Sequence, residues 1–171
     1  TPANSLPDWP KQELRRNRLE GKRYISREFA ELEFEHMWTK VWLLLGRESE
    51  MQEPGDWQRE DVGPESILMV RQDDKTIKAF YNICQHRGNQ LLQGEKGHVK
   101  RLVCKYHGWA FATDGALLFA QDAKNFSQGN PCENVRLKEI RCETFAGFIW
   151  VNMDPECTGL KKFLGPIWDD W

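Results

Sequence analysis

The chain has 171 residues and a formal net charge of −2 at pH 7, with 24 Lys and Arg against 26 Asp and Glu. This length suits one ordinary domain with some additional helix, and the balanced charge argues against a general affinity for nucleic acid or anionic lipid. No run of about 18 consecutive apolar residues occurs, which argues against a membrane-spanning helix.

Residues 1–46 are predicted to form an arm followed by an amphipathic helix. Residues 1–25 are polar and partly basic, and they predict a solvated arm or short exposed helix, with an arm that clasps a neighbouring subunit as the alternative. Ser26 has the character of a helix N-cap. Apolar residues then recur at helical spacing and predict one helix that ends at Gly46. These residues are Phe34, Met37, Trp38, Val41, Trp42 and Leu45.

Residues 47–154 change to short strand-like runs separated by turns. Asp114-Gly115 is a strong hairpin-turn signal. Strands this short and this frequent predict a mostly β fold, a small antiparallel β-sandwich or barrel with an N-terminal helical extension. Residues 155–171 are predicted to be an exit segment from this domain. The predicted strands are 57–62, 67–71, 76–82, 101–104, 109–112, 116–119, 135–143 and 148–152.

Two short segments in the β region carry most of the functional signal. They are Cys84-Gln85-His86-Arg87-Gly88 and Cys104-Lys105-Tyr106-His107-Gly108-Trp109, which together have the pattern C-x-H, 17 intervening residues, then C-x-x-H. Two thiolates and two imidazoles suit a [2Fe–2S] cluster in which one iron binds both cysteines and the other binds both histidines. Gly88 and Gly108 stand where the chain must turn tightly around such a cluster.

A zinc site is the alternative for the same ligands, because Cys₂His₂ is a common zinc ligand set. Zinc fingers usually pair like with like, whereas each segment here mixes one Cys with one His, so the pattern favours the iron–sulfur cluster. An odd, widely spaced set of five cysteines also argues against a secreted disulfide framework. Cys132, Cys142 and Cys157 are predicted to be structural thiols.

Both segments resemble the Rieske motif of non-haem iron ring-hydroxylating oxygenases. The resemblance is to the large (α) subunit, extends from about Tyr24 to Asp154, and includes Pro54-Gly55-Asp56 and Phe80-Tyr81-Asn82. It implies a Rieske-type fold and [2Fe–2S] cluster in a cytoplasmic bacterial enzyme that receives electrons from a ferredoxin, a flavin reductase or both. It also implies homotrimers of α subunits, with a β subunit possible.

The same resemblance implies a mononuclear Fe(II) in a further catalytic domain, where O₂ attacks an aromatic or other organic substrate. The exit segment 155–171 is expected to lead towards that domain. His36 and His98, the latter expected in a turn between the two segments, do not plausibly build such an iron site together, so no catalytic residue is predicted. We therefore favour the electron-transfer portion of an oxygenase α subunit. A self-contained Rieske-type ferredoxin, which is not an enzyme, is the alternative, and a zinc-stabilised binding module is the third candidate.

Roles around the cluster follow from this interpretation. Cys84 and Cys104 ligate one iron, while His86 and His107 ligate the other and present their second ring nitrogens to a partner, which in the family is a carboxylate of a neighbouring catalytic domain. Tyr106 and Trp109 are predicted to shield the cluster from water. Arg87 and Lys105 are predicted either to form a cationic rim for an acidic ferredoxin or to be ordinary solvated charges.

Rieske proteins of respiratory complexes differ from this pattern, since they carry an extra cysteine in each loop and a serine after the last histidine. The corresponding positions here are Asn89, Lys105 and Trp109. Without the serine hydroxyl, fewer hydrogen bonds stabilise the reduced cluster. We therefore expect a reduction potential near the low end of the Rieske range of about −150 to +300 mV.

Overall fold

A computed structural model of the chain describes residues 21–170, so most of the predicted N-terminal arm and Trp171 lie outside the described residues. One antiparallel sheet has the strand order β1-β10-β9-β4-β3-β2-β5, and a smaller antiparallel sheet has the order β6-β7-β8. The mostly β fold with a helical N-terminal extension is therefore confirmed. The strands are β1 Leu43–Arg47, β2 Asp56–Val62, β3 Glu65–Arg71, β4 Ile77–Tyr81, β5 Lys96–His98, β6 Leu102–Val103, β7 Ala110–Phe111, β8 Leu117–Phe119, β9 Glu139–Phe145 and β10 Phe148–Asn152.

Strand β3 separates two hydrophobic cores because it is buried on both faces. Such a strand is expected to be almost continuously apolar, as the run from Ile67 to Val70 is. The first core consists of Trp57, Leu68, Val70, Phe80, Cys84, Leu91, Leu102, Cys104, Trp109, Phe111, Leu117, Ala120 and Leu137. The second core consists of Met51, Ile67, Met69, Ile77, Ala79, Ile140, Ile149 and Val151.

The helix predicted between Ser26 and Gly46 is correct only in its first half. Ser26 caps helix α1 (Arg27–Glu33), where its side chain accepts a hydrogen bond from the Phe29 N–H. The helix ends in a π-helical turn, Phe34–Trp38, and the chain then enters β1, which pairs with β10. The apolar spacing up to Leu45 fitted a helix, but pairing with β10 satisfies the same backbone groups in an extended conformation. The division at residue 46 stays a prediction, and β1 crosses it.

Trp42 makes a contact that the helical pattern does not predict. Its ring is buried, and its indole N–H donates a hydrogen bond to the carbonyl oxygen of Thr158 at 2.8 Å. Trp42 therefore packs against the exit segment instead of forming a helix face with Trp38, which is exposed. The exit segment contains two short helices, α2 (Leu160–Leu164) and α3 (Ile167–Asp170).

The predicted hairpin turn at Asp114-Gly115 is confirmed, because it joins β7 to β8 and Gly115 has a φ of 88°. A Cβ atom at Gly115 would lie 2.7 Å from the Phe80 ring, so glycine is required there for space as well as for conformation.

The turn predicted at His98 is wrong. His98 lies in β5, where it is paired with Asp56 of β2. Within residues 21–170, no helix has the length and apolar character needed to cross a membrane.

Candidate metal centre

The two predicted ligand segments form loops with the same backbone hydrogen bonds. In the first loop, residues 84–89, the Cys84 N–H donates to the carbonyl oxygen of Asn89 at 2.8 Å. In the second loop, residues 104–109, the Cys104 N–H donates to the carbonyl oxygen of Trp109 at the same distance. The first loop follows β4, and the second joins β6 to β7. Each loop is therefore a closed turn that begins at a cysteine.

A glycine completes each turn at the fifth position. Gly88 and Gly108 both have a φ of 69°, and their N–H groups donate to the carbonyl oxygens of Cys84 and Cys104 at 3.0 and 2.9 Å. This left-handed conformation strains any residue with a Cβ atom. Glycine therefore permits both tight turns, and their role around a cluster stays a prediction. The histidine stands two residues after the cysteine in the first loop and three after it in the second, so the loops share a backbone conformation but not the position of the histidine.

The two cysteine side chains meet on the buried side of the loops. Cys84 and Cys104 are each 2% exposed and belong to the first core. Burial raises the pKa of Cys84, the backbone N–H of His86 lowers it, and the adjacent Cys104 thiol raises it further. Because a metal binds the thiolate, occupation of this site would release a proton.

The two histidine rings meet on the other side of the loops, where both are partly exposed. Their centroids lie 4.6 Å apart. Burial, and then the neighbouring charges of His107 and Arg87, lower the pKa of His86 and so favour the neutral imidazole that a metal requires. The Nδ1 atom of His86 is buried and has no hydrogen-bond partner in the part of the chain that the structure describes. A buried polar atom without a partner is costly, and a metal ion would satisfy it.

Aromatic rings cover both histidines. Trp109 is 4% exposed, and its ring stacks on His86 with the centroids 4.7 Å apart and the planes 5° apart. Tyr106 lies against His107 with the centroids 3.8 Å apart, but 59% of Tyr106 remains exposed. Trp109 is therefore placed to exclude water from the interior side, whereas Tyr106 forms part of the outer surface.

The donor set suits two metal positions better than one. Thiol lies beside thiol and imidazole beside imidazole. A single zinc ion in a structural site needs four ligands around one point. A [2Fe–2S] cluster of the mixed type needs two thiolates at one iron and two imidazoles at the other. The residues present fit such a cluster.

Asn89 is a residue of the site that sequence reasoning missed. Its side-chain Nδ2 atom donates to the carbonyl oxygen of Gln90 at 2.9 Å and lies 3.8 Å from the Sγ atom of Cys104. In the sequence, Asn89 stands out only as the position of an absent cysteine. Aligning the two loops on their cysteines and glycines would have placed it opposite Trp109 and so marked it as a site residue.

The remaining candidates lie outside the two loops or on their outer surface. Arg87 and Lys105 are exposed and have no ion-pair partner among the described residues. Cys132 packs against the first core and Cys142 against the second, where burial raises the pKa of Cys142 to about 12. These positions suit the structural thiols that the sequence predicted. His36 is exposed.

Comparison with known proteins agrees with this geometry. Residues 41–139, which contain both loops, match the family model of the Rieske [2Fe–2S] domain. One relative is the oxygenase subunit of carnitine monooxygenase from Escherichia coli, 37% identical over 141 residues; another is the alpha subunit of benzene 1,2-dioxygenase from Pseudomonas putida, 36% identical over 149 residues. These matches cover 82% and 86% of this chain but 37% and 33% of the relatives. The chain thus spans about a third of their length.

Solved structures give the same result. The apo form of a quaternary ammonium Rieske monooxygenase superposes with a TM-score of 0.81 at 31% identity, covering 87% of this chain and 43% of that one. Naphthalene 1,2-dioxygenase with indole bound in its active site superposes with a TM-score of 0.73 at 34% identity, covering 83% of this chain and 32% of that one. The similarity therefore concerns one portion of these larger oxygenase chains.

Proposed function

Because the chain belongs to the Rieske [2Fe–2S] domain family, we propose that it is the electron-transfer portion of an oxygenase large (α) subunit. The observation that carries the proposal is the pair of equivalent loops, which place two cysteines on the buried side and two histidines on the outer side of one site. The relatives are named as subunits of a monooxygenase and a dioxygenase, which supports an oxygenase over a self-contained ferredoxin.

In this proposal Cys84 and Cys104 hold one iron, and His86 and His107 hold the other. When bound, the cluster accepts and releases one electron at a time. The first core behind the cysteines keeps that side of the site dry. The histidines are the part of the site that a partner can approach, because both are partly exposed. Their second ring nitrogens are free in this proposal to hydrogen-bond a carboxylate of a neighbouring catalytic domain.

Trp109 holds His86 by stacking on it, and Tyr106 packs against His107. We propose that these rings keep the imidazoles in a fixed orientation and limit the access of water, with Gly88 and Gly108 allowing the loops to close around the cluster. Polar groups and solvent around a cluster are among the factors that set its reduction potential. The aromatic cover is consistent with a site that must exchange electrons without exposing its sulfur atoms.

The partners of the whole protein are part of the same proposal. We expect a ferredoxin or a flavin reductase as electron donor, a homotrimer of α subunits with a β subunit possible, and a cytoplasmic location. A mononuclear Fe(II) in a separate catalytic domain would carry out the attack of O₂ on an aromatic or other organic substrate. Residues 155–171 lead towards that domain in this proposal.

Arg87 and Lys105 are proposed to attract the electron donor. Both are exposed next to cluster ligands, and neither is engaged by an acidic side chain within residues 21–170. Unpaired charges at a rim increase association rates with partners of opposite charge.

Charge reversal in Lys105→Glu should slow reduction by the donor several-fold at low salt, with a smaller effect at high salt. An unchanged reduction rate would assign Lys105 to ordinary solvated charge.

The first experiment is a count of iron, acid-labile sulfide and zinc per chain on anaerobically purified protein. The proposal requires about two irons and two sulfides per chain, with a midpoint potential below about +100 mV. One zinc without sulfide would replace the electron-transfer proposal with a structural metal module. A midpoint well above +100 mV would contradict the expected low potential, although not the cluster itself.

The ligand assignment is tested by His107→Cys. A third thiolate ligand makes the cluster more negative, so this variant should retain iron while its potential falls towards the value of all-cysteine clusters, near about −400 mV. Because His86 remains, the fall should be on the order of 100 mV, part of the about 250 mV that separates −150 from −400 mV, and a redox titration followed in the visible spectrum measures it. His36→Cys is the matched control because His36 is exposed and lies away from the loops. Equal potentials in the two variants would show that His107 is not a ligand.

A further inference from the structure

The last residue of each loop contacts a ligand of the other loop. Trp109 ends the second loop, and its ring stacks on His86 of the first. Asn89 ends the first loop, and its amide nitrogen lies 3.8 Å from the sulfur of Cys104 in the second. The two contacts cross between the loops. Each loop therefore helps to place a ligand that the other loop carries.

The Asn89 amide is held with its N–H₂ group towards the sulfur. Its Nδ2 atom donates to the carbonyl oxygen of Gln90 at 2.9 Å, and because an amide nitrogen carries two hydrogens, the second is left for Cys104. Turning the amide over would place its oxygen against a carbonyl oxygen and a sulfur, both of which are acceptors. The neighbouring carbonyl group therefore fixes the donor orientation.

The hydrogen bond from Asn89 to the Cys104 sulfur comes from a side chain. A substitution can remove this donor, so its effect on the site can be measured separately.

We propose that Asn89 raises the reduction potential of the cluster by donating its amide N–H to the Cys104 sulfur. The inference rests on the proposed function, since it requires Cys104 as a ligand. Reduction adds negative charge to the cluster and its thiolates, and a donor to a ligand sulfur stabilises that state more than the oxidised one. Asn89 thereby supplies part of what a serine hydroxyl supplies in respiratory Rieske proteins. Asn89 is a positioning residue, because it affects the reduction potential only through the Cys104 sulfur.

The test compares Asn89→Leu with Gln85→Leu. Both substitutions replace an amide side chain in the first loop by the same apolar one, but the Gln85 amide is exposed and donates to the carbonyl oxygen of Ile83 at 3.4 Å. Loss of the Asn89 donor should shift the one-electron reduction equilibrium about tenfold towards the oxidised form, which lowers the midpoint by about 59 mV. Gln85→Leu should leave the midpoint of the cluster-loaded protein unchanged.

A second pair, Asn89→Asp and Gln85→Glu, keeps the shape of each side chain. The carboxylate of Asn89→Asp would face the Cys104 sulfur with an acceptor, so its midpoint should fall further than that of Asn89→Leu. Gln85→Glu places the same charge on an exposed position, where high salt screens it. The titration is therefore run at high ionic strength, and only Asn89→Asp should show a large shift.

Iron and sulfide are counted on every protein before its potential is measured. A wild-type protein without a [2Fe–2S] cluster would overturn the proposed function and this inference together. Loaded Asn89→Leu with the midpoint of Gln85→Leu would overturn the inference alone. If Asn89→Leu does not retain the cluster, the midpoint of Asn89→Asp is the deciding measurement. A midpoint of Asn89→Asp equal to that of Gln85→Glu would then overturn the inference. If neither Asn89 variant binds the cluster while both Gln85 variants do, the inference is overturned, and Asn89 serves to retain the cluster instead of tuning its potential.

Discussion

The two cores on either side of β3 are built from similar apolar residues but differ in what encloses them. The first core includes Cys84 and Cys104, the first residues of the two loops of the proposed metal centre. Its small sheet consists of strands of two, two and three residues. The second core contains no predicted ligand, and it is bordered by β1, β9 and β10, which have five, seven and five residues.

This difference indicates where the cluster contributes to stability. Strands of two residues form too few ladder hydrogen bonds to be stable without further support. Metal binding couples to folding when the ligands hold otherwise weak structure together. The second core has longer strands and a closed hairpin, with β9 and β10 paired from Phe145–Phe148 to Arg141–Asn152. We therefore expect the cluster to stabilise the first core much more than the second.

Removal of the cluster gives the largest expected effect. Cys104→Ala should lose the cluster, and amide hydrogen exchange in β6, β7 and β8 should then accelerate more than about 100-fold, equivalent to about 2.8 kcal/mol. Amides in β9 and β10 should change by less than about tenfold. Hydrogen exchange followed by mass spectrometry measures both regions in one experiment.

Cys142→Ala is the control for Cys104→Ala. Cys142 is also a thiol in a β region, but it packs against the second core, and burial raises its pKa to about 12. This variant should keep the cluster and the protection of β6 to β8. If Cys104→Ala exposed β10 as strongly as β7, the two cores would form a single cooperative unit.

Two adjacent residues of β3 allow a direct comparison of the two cores. Leu68 and Met69 are both fully buried, yet Leu68 belongs to the first core and Met69 to the second. Truncation to alanine should lower the free energy of unfolding by about 2–5 kcal/mol at either position, because each leaves a cavity. Only Leu68→Ala should accelerate the loss of iron to a chelator, since Leu68 belongs to the same core as the two proposed ligands, Cys84 and Cys104.

Thermal unfolding and the rate of iron release are measured on the same two β3 variants. Equal acceleration of iron release in Leu68→Ala and Met69→Ala would mean that cluster retention depends on overall stability. A faster release in Leu68→Ala alone would assign the first core to the support of the cluster. Since the two residues are neighbours on one strand, differences in strand propensity contribute little to the comparison.

The sequence predicted the turns of the two loops better than the edges of the fold, for a physical reason. Ligand loops depend on local features: a cysteine, a histidine at fixed spacing and a glycine that adopts a positive φ. The path of residues 39–47 depends instead on β10, about 100 residues later, which pairs with β1. Helical spacing of apolar residues does not contain that information. Trp42 was therefore assigned to a helix face, although its partner is the carbonyl group of Thr158.

Asn89 is a second residue whose contact depends on a separate part of the chain, and it was missed as a donor. Its contact with Cys104 crosses between two loops that are 15 residues apart in sequence. Neither loop alone indicates it, and only the superposition of the two turns places Asn89 at the position of Trp109. His98 was misplaced for a related reason, because β5 is a three-residue edge strand whose pairing with β2 has no clear local signal.

The smallest expected effect concerns Asp114, in the hairpin that supports the first core. The Ala116 N–H, and after it the Arg136 guanidinium, hold the pKa of Asp114 below its usual value of 3.8, while partial burial opposes them. A lowered pKa in the folded state stabilises the protein above the unfolded pKa, and the contribution is lost as the pH falls through the folded value.

Asp114→Asn should therefore lower the free energy of unfolding by a few tenths of a kcal/mol at pH 7, because the pair with Arg136 is half exposed and screened. The difference between wild type and variant should stay constant down to about pH 5 and shrink below about pH 4, as measured by denaturant unfolding. Asp74→Asn, in the turn before β4, is the control, since the pKa of Asp74 is also lowered, by Thr76. Because Asp114 lies beside β7 and β8, only its substitution should also increase exchange in that small sheet. Equal amide exchange in both variants would show that this hairpin does not contribute to the stability of the first core.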